Sequence, residues 1–370
     1  MRILHLLYES QGDFFGIGGV GVRAYEIYKR LKDRHEVTLL CKKYPGARDR
    51  EIDNLKHVFV GTESRSLAKT LLSYAYHAAL FVKRHNAEFD IIIEEFSPAI
   101  PTFLHAFSGK PVVLQVQEYT GRHYFEKYNP LYALTLFLFE RLRPKSYANL
   151  IFVSATTAKR VALGSRKRIG IIPNAISGEL LKISPEEGDY ILYIGRIDIC
   201  KKGLDLLIEG YGAFLDSFPN VGLIIAGDGR DRERFERMLS KLPEHVSSNI
   251  KLSGWVSGSY KEELIRRALF LIFPSRHESQ PIAALEAMAC GKAVVVSGIP
   301  EFAFVTENGA GISFKPGNVV SLAQSMRDMA ASKERKEMGQ RGRGWAKDFL
   351  WDRIAEEYEQ FLKEISAGRR

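Results

Sequence analysis

The stretch "LFLIFPSRHESQPIAALEAMACGKAVVV", residues 269–296, contains a complete strand–loop–helix–strand unit. Apolar runs of strand length stand at both ends, and the small, apolar residues between them have helical spacing. Pro281 suits the first turn of the helix, and we expect Ser279 or Gln280 to cap it. Since two strands joined through a helix run parallel in one sheet, the segment predicts an α/β fold.

Strand-length apolar runs alternate with helical patterns along almost the whole chain, which predicts parallel sheets built from βαβ units. The polar residues 183–189 interrupt this rhythm, and the final part of the chain, from about 318 to 365, is helical in pattern. The pattern predicts two doubly wound domains with a linker near 178–188. The expected strands are Ile3–Tyr8, Val37–Cys41, Val58–Gly61, Ile91–Glu94, Val112–Val116, Leu150–Val153, Tyr190–Ile194, Val221–Ala226, Ile250–Leu252, Leu269–Phe273 and Ala293–Val296.

Length and composition describe an ordinary globular protein with a basic surface. The chain has 370 residues, more than one typical core, and a formal net charge of +9, which favours anionic partners. Its three cysteines are isolated, so they predict neither a zinc site nor a disulfide framework. The apolar run at the start is too short for a signal peptide, and no stretch is long enough to span a bilayer, so we expect a cytoplasmic protein.

A glycine-rich loop, "GIGGVG" at 16–21, follows the first expected strand. It matches the dinucleotide fingerprint in form, but seven residues separate it from the strand, and the second strand ends in Lys42 and Lys43 where an acid is expected. A nicotinamide enzyme is therefore disfavoured. The loop could bring backbone N–H groups close to a phosphate, or it could be a plain strand-to-helix turn.

Two cations lie in one strand-to-helix loop of the second domain, in "GRIDICKKGLDLL" at 195–207. Arg196 directly follows a strand, and Lys202 precedes Gly203 and a helix. Ligands bind beyond the carboxyl ends of parallel strands, and both side chains suit phosphate oxygens. The alternative is a pair of solvated surface cations. Two further strand ends on this edge are "IAGDG" at 225–229 and "SGWV" at 253–256.

Two glutamates stand eight positions apart at the helix of the opening stretch. On a helix, Glu286 has Ile282, Ala283, Ala289 and Cys290 as its nearest neighbours, so its carboxylate lies on an apolar surface. Such a charge is rare unless a partner compensates it. The sequence therefore predicts a binding partner for this glutamate, although a purely structural role is the alternative.

In order along the chain, these motifs resemble those of GT-B glycosyltransferases, in particular retaining glycosyltransferase family four (glycosyl transferases group 1). The matching segments are "GGVG", "IIPNAI", "GRID…KKGLDLL", "IAGDG", "SGWV" and "HESQPIAALEAMACGK", the last being this chain's form of the family's E-x7-E motif. The resemblance implies two Rossmann-like domains facing a cleft, with the closing helix crossing back to the first. It implies an acceptor-side domain of residues 1–182 plus 350–370 and a donor-binding domain of residues 183–349.

The resemblance also implies that a nucleoside diphosphate sugar is the donor and that no cofactor is used. Glu286 would accept hydrogen bonds from the ribose hydroxyls, Glu278 would lie near the donor sugar, and Arg196 and Lys202 would stabilise the departing phosphate. The donor-binding positions are Gly18, Gly19, Gly227, Val256, Ser279, Gln280, Pro281, Ile282 and Glu286. The resemblance further implies that the anomeric configuration is retained. Since no D-x-D pair occurs in the sequence, we expect no bound divalent metal.

The acceptor side departs from the family pattern. Where the family typically carries a histidine after the fourth strand, this chain has Gln117, which cannot titrate. His123 lies six residues further on and could substitute, or it could be an ordinary loop histidine. Glu94 and Glu95 end another strand and could contact an acceptor hydroxyl, or they could simply be exposed acids.

Three functions remain open at this point. The leading one is transfer of a sugar to a glycan or lipid-linked acceptor; a catalytically weakened paralogue that binds the donor or partners an active transferase is the alternative, with Gln117 as its support. A sugar-nucleotide epimerase of the same fold would need more acidic residues in the cleft than this sequence places there.

Residues 119–147 interleave aromatic, aliphatic and basic side chains, which suits either contact with an anionic membrane at the inner face or a core helix with a basic end. No nucleic-acid partner is expected.

Overall fold

In the computed structural model, which describes residues 1–10, 18–161, 164 and 167–368, the chain divides into two compact units. The first comprises Met1–Asn174 together with the C-terminal stretch from Trp351, and the second comprises Ala175–Leu350. The chain enters the second unit ahead of the predicted boundary at 182/183. The reason is that Ile176 and Leu180 are buried in the hydrophobic core of the second unit.

The described part of the first unit contains an eight-stranded sheet in the order β3-β4-β2-β1-β5-β6-β7-β8. The pairing is parallel throughout, except that β3 runs antiparallel to β4. Because helices cover both faces of such a sheet, its central strands are almost entirely buried, including the polar residues His5 of β1 and Gln115 of β6. Its strands are β1 Arg2–Leu7, β2 Glu36–Lys42, β3 Arg50–Ile52, β4 Leu55–Val60, β5 Ile91–Glu95, β6 Val112–Val116, β7 Asn149–Phe152 and β8 Arg168–Ile171.

Helices follow β1, β4, β6 and β7 of this unit. The first five are α1 Gly19–Leu31, α2 Leu67–His85, α3 Tyr124–Lys127, α4 Pro130–Ser146 and α5 Ala155–Val161. Asn129 caps α4 by accepting a hydrogen bond from the backbone N–H of Tyr132, and Pro130 occupies the first turn.

The described part of the second unit contains a six-stranded, entirely parallel sheet in the order β11-β10-β9-β12-β13-β14. Its strands are β9 Tyr190–Ile194, β10 Gly222–Ala226, β11 Ile250–Gly254, β12 Phe270–Phe273, β13 Val294–Ser297 and β14 Gly311–Phe314. Its helices are α6 Ile199–Lys202, α7 Leu204–Leu215, α8 Arg232–Leu239, α9 Glu244–Ser247, α10 Gly258–Arg267, α11 Ile282–Ala289, α12 Ala303–Glu307, α13 Val319–Ala331 and α14 Arg335–Ala346.

The last helix, α15 Trp351–Ala367, returns to the first unit and packs on α1. Its buried side chains recur at helical spacing, and Tyr358 meets Tyr28 of α1 edge to face. Glu359 accepts a hydrogen bond from His35 at 2.6 Å, beyond the end of α1. The position of α15 confirms the expectation that the closing helix crosses back to the first of two domains.

Three described strands were not predicted from the sequence. β3 is short and charged, and it forms a hairpin with β4 through Asp53 and Asn54, both at positive φ. β8 is an edge strand with exposed residues, and β14 begins with a glycine, so neither has a continuous buried run. Within the described residues, no helix is both long and apolar enough to cross a membrane.

Candidate functional site

The strand order of the second unit reverses between β9 and β12, which lie side by side. The loops that follow these two strands lead away in opposite directions, and the crevice between them is where doubly wound sheets bind ligands. Residues 195–198 and Lys202 come after β9, and Glu278 comes after β12. The topology therefore brings together residues that are about eighty positions apart in the sequence.

Lys202 and Glu278 form an ion pair at this point, with the ammonium nitrogen 2.5 Å from Oε1 of the carboxylate. Gly203 allows the two loops to approach, because it has a φ of +64° and a Cβ at this position would lie 2.1 Å from the carbonyl oxygen of Pro274. Ser275 donates a second hydrogen bond to the carboxylate at 2.8 Å. The sequence predicted both charged residues but not their pairing.

The surroundings of Glu278 keep its carboxylate ionised. Burial alone would raise its pKa, but the charges of Lys202 and Lys201 and the hydrogen bonds from Lys202 and Ser275 together lower the pKa below the ordinary value. The site therefore contains an ionised carboxylate in direct contact with the amino group of Lys202.

The helix of the opening stretch begins later than expected. α11 starts at Ile282 with Pro281 at its N-cap position, and no side chain caps it, so the expectation of a Ser279 or Gln280 cap is wrong. Pro281 lacks an N–H, but its carbonyl oxygen accepts the first backbone hydrogen bonds of the helix. The side chain of Ser279 therefore does not act as the cap. Ser279 Oγ is buried without a hydrogen-bond partner among the described residues. A buried hydroxyl of this kind is available to a ligand.

Gly227 and Val256 hold the neighbouring strand ends in place. A Cβ on Gly227, which has a φ of +153°, would lie 1.8 Å from the carbonyl oxygen of Gly195, so only glycine lets the ends of β9 and β10 approach this closely. The backbone N–H of Gly227 donates to the carbonyl of Gly254 at 2.7 Å. Val256 is buried in the core of the unit, and Ser253 Oγ just before it is buried without a partner among the described residues.

Glu286 has a partner that the sequence did not reveal. Lys261 of α10 donates a hydrogen bond to its Oε1 at 2.7 Å, and both side chains are partly exposed. The expectation that this carboxylate needs a partner is thus met within the chain.

Arg196 is exposed directly after Gly195, and its carbonyl accepts a hydrogen bond from Tyr193 at 3.0 Å.

In the first unit, Gln117 is held by a buried carboxylate. Its Nε2 lies 3.0 Å and 3.2 Å from the two oxygens of Glu95, which ends β5. Glu95 also accepts hydrogen bonds from Gln115 and from His5 of β1. Because a carboxylate accepts and does not donate, it turns the amide nitrogen of Gln117 toward itself and the amide oxygen away.

The interpretation of Glu94 and Glu95 as exposed acids is wrong, since both are buried at the end of β5. Their side chains point to opposite faces of the sheet. Glu94 binds Arg143, Tyr147 and Thr102, so its oxygens are occupied by the chain itself. His123 is exposed and pairs with Glu126 three residues later, as an ordinary loop histidine does.

The beginning of α1 also has an internal partner. Oε2 of Glu9 accepts hydrogen bonds from the backbone N–H groups of Gly18 at 2.8 Å and Gly21 at 3.0 Å. Gly19, the first residue of the helix, has space where a Cβ would be. The start of the glycine motif at Gly16 lies outside the described residues.

The sequence did not reveal the residues that form hydrogen bonds with these candidate site residues, namely Glu9, His5, Ser275 and Lys261. His5 carried a signal, since a histidine inside a buried apolar strand needs a hydrogen-bond partner. The sequence around Lys261 does not indicate its partner, because Glu286 lies twenty-five positions away on another helix and the pairing depends on how the two helices pack.

Comparison with known sequences agrees with this geometry. The profile "Glycosyltransferase Family 4" matches residues 17–179, and the profile "Glycosyl transferases group 1" matches residues 182–345. The chain belongs to the family 4-like glycosyltransferases of GT-B fold. It is 28% identical over 276 residues to phosphatidyl-myo-inositol mannosyltransferase of Mycobacterium leprae, covering 70% of this chain and 69% of that protein.

Solved structures of the same fold match nearly the whole glycosyltransferase chain. Sucrose-phosphate synthase from Thermosynechococcus elongatus aligns with a TM-score of 0.81 at 18% identity, over 99% of both chains. Anabaena HepE, solved in complex with UDP and glucose, aligns with a TM-score of 0.72 at 16% identity, over 98% of this chain and 100% of that one. These likenesses confirm the expected fold, and the contacts of individual residues with a nucleotide sugar stay predictions.

Proposed function

We propose that this glycosyltransferase moves a sugar, with retention of anomeric configuration and without a bound divalent metal, from a nucleoside diphosphate sugar to a glycan or lipid-linked acceptor. The observation that carries the proposal is the Lys202–Glu278 pair at the reversal of the second sheet. The buried hydroxyls of Ser279 and Ser253 support it, because each has hydrogen-bonding capacity that no described residue uses. UDP bound to Anabaena HepE supports a nucleotide as the ligand.

Lys202 can serve both Glu278 and a diphosphate. An ammonium group has three N–H donors, and the carboxylate takes one of them, so the others remain for phosphate oxygens. Arg196, exposed after β9, would add a forked donor. Such positive charge, fixed before the reaction, stabilises the negative charge that develops on the leaving phosphate. In this proposal the two side chains perform the role that a metal ion has in other transferases.

The reaction is a single exchange of bonds at the anomeric carbon. The bond from that carbon to the phosphate oxygen breaks, and its electron pair leaves with the nucleoside diphosphate. The acceptor oxygen forms its new bond on the same face, and its proton passes to a phosphate oxygen. Glu278 would contact the donor sugar, and Gln117 would orient a hydroxyl through its amide oxygen, because Glu95 holds its amide nitrogen.

A lipid-linked acceptor at an anionic membrane is the second part of the proposal. On α4, Leu131, Leu134, Leu138 and Leu142 recur at helical spacing and are exposed, Leu131 by 78% and Leu142 by 58%. Arg141 and Lys145 are exposed on the same helix. Apolar side chains flanked by basic ones suit an anionic membrane surface. The mycobacterial relative is named for a phosphatidylinositol substrate, which also favours a lipid acceptor.

The test is a transfer assay with labelled UDP-, GDP- and ADP-sugars, a lipid extract and a set of glycans, with and without EDTA. We expect a labelled product from one donor class, equal yield in EDTA, and the donor's anomeric configuration in the product by proton NMR. Inverted product would refute retention, and loss of activity in EDTA that Mg²⁺ restores would refute metal independence. Product formed without acceptor would indicate an epimerase.

A further inference from the structure

The carboxylate of Glu286 lies on an otherwise apolar helix at the edge of the second unit's core. Its neighbours along α11 include Leu285 and Ala289, which are fully buried. Its own side chain is 15% exposed, so it can still be reached from outside. A charge in this position costs free energy unless a partner compensates it.

Lys261 is that partner, and it binds one oxygen of the carboxylate. Its Nζ lies 2.7 Å from Oε1 of Glu286, and its side chain is 24% exposed. Among the described residues, no hydrogen bond to Oε2 is observed. The ammonium thus fixes one oxygen and restricts rotation of the carboxylate, while the second oxygen is left as an acceptor.

The two residues come from helices that flank predicted ligand loops. α10 begins four residues after β11 ends, next to Val256, and α11 begins after the loop that carries Glu278. The pair therefore lies at the carboxyl edge of the parallel sheet. No sequence motif connects Lys261 to the site, and the pairing arises from the packing of the two helices.

We infer that Lys261 is a positioning residue for ribose recognition: it holds Oε1 of Glu286 so that Oε2 accepts a hydrogen bond from a ribose hydroxyl of the donor nucleotide. This inference rests on the proposed function, since it needs a nucleotide at the site. Lys261 does not itself contact the ribose in this account. Its contribution is to orient the acceptor before the nucleotide arrives, which lowers the ordering cost of binding.

A specific consequence distinguishes positioning from mere stabilisation of the fold. If Lys261 acts through the ribose contact, its loss should weaken binding of nucleotides that have ribose hydroxyls and should spare those that lack them. A hydrogen bond to a charged group changes affinity by roughly tenfold or more. A purely structural ion pair would change both affinities together.

The experiment is calorimetric titration of the full-length protein with UDP, GDP and ADP and with their 2′,3′-dideoxy forms. The wild type should bind one ribonucleotide at least about tenfold more tightly than its dideoxy form. In Lys261→Met, affinity for the ribonucleotide should fall about five- to tenfold, while affinity for the dideoxy form changes less than about twofold. Lys261→Arg, which keeps the charge and can reach the carboxylate, should retain most of the discrimination.

Arg266→Ala is the matched control, because Arg266 lies on the same helix but pairs with Glu263 and Glu186. It should leave both affinities unchanged. In a Glu286→Gln background, Lys261→Met should have almost no further effect, since the residue through which it acts is already altered. Thermal unfolding of each variant establishes that it is folded.

Four results would overturn the inference. The first two are an equal loss of affinity for the ribonucleotide and its dideoxy form in Lys261→Met, and tighter ribonucleotide binding in that variant. The third is a loss of affinity from Lys261→Met that is as large in the Glu286→Gln background as in the wild type. The fourth is no change of either affinity in Lys261→Met. Failure of the proposed function gives a different result: the wild type itself would bind none of the three nucleotides, and the ribose role of both residues would be refuted with it.

Discussion

The ammonium of Lys202 lies 2.5 Å from Oε1 of Glu278, although the two residues are seventy-six positions apart in the sequence. The pair joins the loops after β9 and β12, where the strand order of the second sheet reverses. It fixes the lysine before any ligand binds, and a positive group held in advance stabilises developing charge without reorganising during the reaction.

Removing either predicted phosphate ligand should slow transfer. We expect Lys202→Met and Arg196→Ala each to lower kcat at least tenfold, because one stabilising donor is lost from the leaving phosphate. Lys182→Ala is the control, since that exposed lysine pairs with Glu179, three residues before it. Steady-state rates with a saturating donor measure the effect. Near-normal rates in both site variants would show that these cations do not act on the phosphate.

Substitution of Gln117 should have a modest effect. Gln117→Ala should slow transfer by about tenfold, since a neutral orienting hydrogen bond contributes about 0.5–1.5 kcal/mol. Glu95→Gln should have a similar effect, because the amide of Gln117 then loses the carboxylate that turns it. Glu88→Gln, at an exposed acid paired with His85, is the control. A thousandfold loss in Gln117→Ala would mean that this glutamine takes part in the chemistry itself. An inactive wild type that still binds nucleotide would favour the weakened paralogue.

Glu9 should compete with any phosphate at the start of α1. Its carboxylate accepts the N–H groups of Gly18 and Gly21, so a phosphate bound there must displace it. Glu9→Gln should therefore raise the affinity for pyrophosphate by about two- to tenfold, the range expected for one charge at a helix N-terminus. Titration calorimetry gives the comparison, with Glu36→Gln as an exposed control. Unchanged or weaker binding would count against a phosphate at the glycine loop.

The exposed leucines of α4 should be needed for membrane binding. The wild type should sediment with phosphatidylglycerol vesicles and be released by salt, because charge attraction is screened over about 8–10 Å. Leu138→Gln combined with Leu142→Gln should reduce partitioning more than tenfold, since burying one leucine contributes about 1.5–3 kcal/mol. Leu72→Gln, at an exposed leucine of α2, should have no effect. An equal loss of vesicle binding in Leu72→Gln, or no binding of the wild type to vesicles at low salt, would favour an acceptor that is not in a membrane.

The sequence predicted the repeated strand-and-helix pattern well, because buried parallel strands are continuous apolar runs and glycines mark the turns between elements. It also indicated that Lys202 lies in a strand-end loop and that Glu286, on an apolar helix, needs a partner, while Glu278 came from the family motif. The roles of all three toward a donor stay predictions. It could not predict which partner each one has. The pairs Lys202–Glu278, Lys261–Glu286 and Gln117–Glu95 all join different elements, so they depend on strand order and helix packing.

Short edge strands were missed for a related reason. β3 is paired on one side only and has polar residues, so its sequence lacks the buried run that identifies β1 or β9. The expected cap at Ser279 or Gln280 is wrong because Pro281 takes the N-cap position, and the hydroxyl of Ser279 is left unpaired among the described residues. An unpaired buried hydroxyl of this kind can form a hydrogen bond with a ligand.

Hydrogen exchange with and without a nucleoside diphosphate sugar tests the central claim most directly, since it locates the ligand without requiring the acceptor. We expect one donor among UDP-, GDP- and ADP-sugars to protect the backbone amides of 195–203, 227–230, 254–261 and 276–287 in the second unit. Protection should be lost from 276–287 in Glu286→Ala at the same donor concentration. Protection confined to other segments, or none with any of these donors at millimolar concentration, would contradict the account.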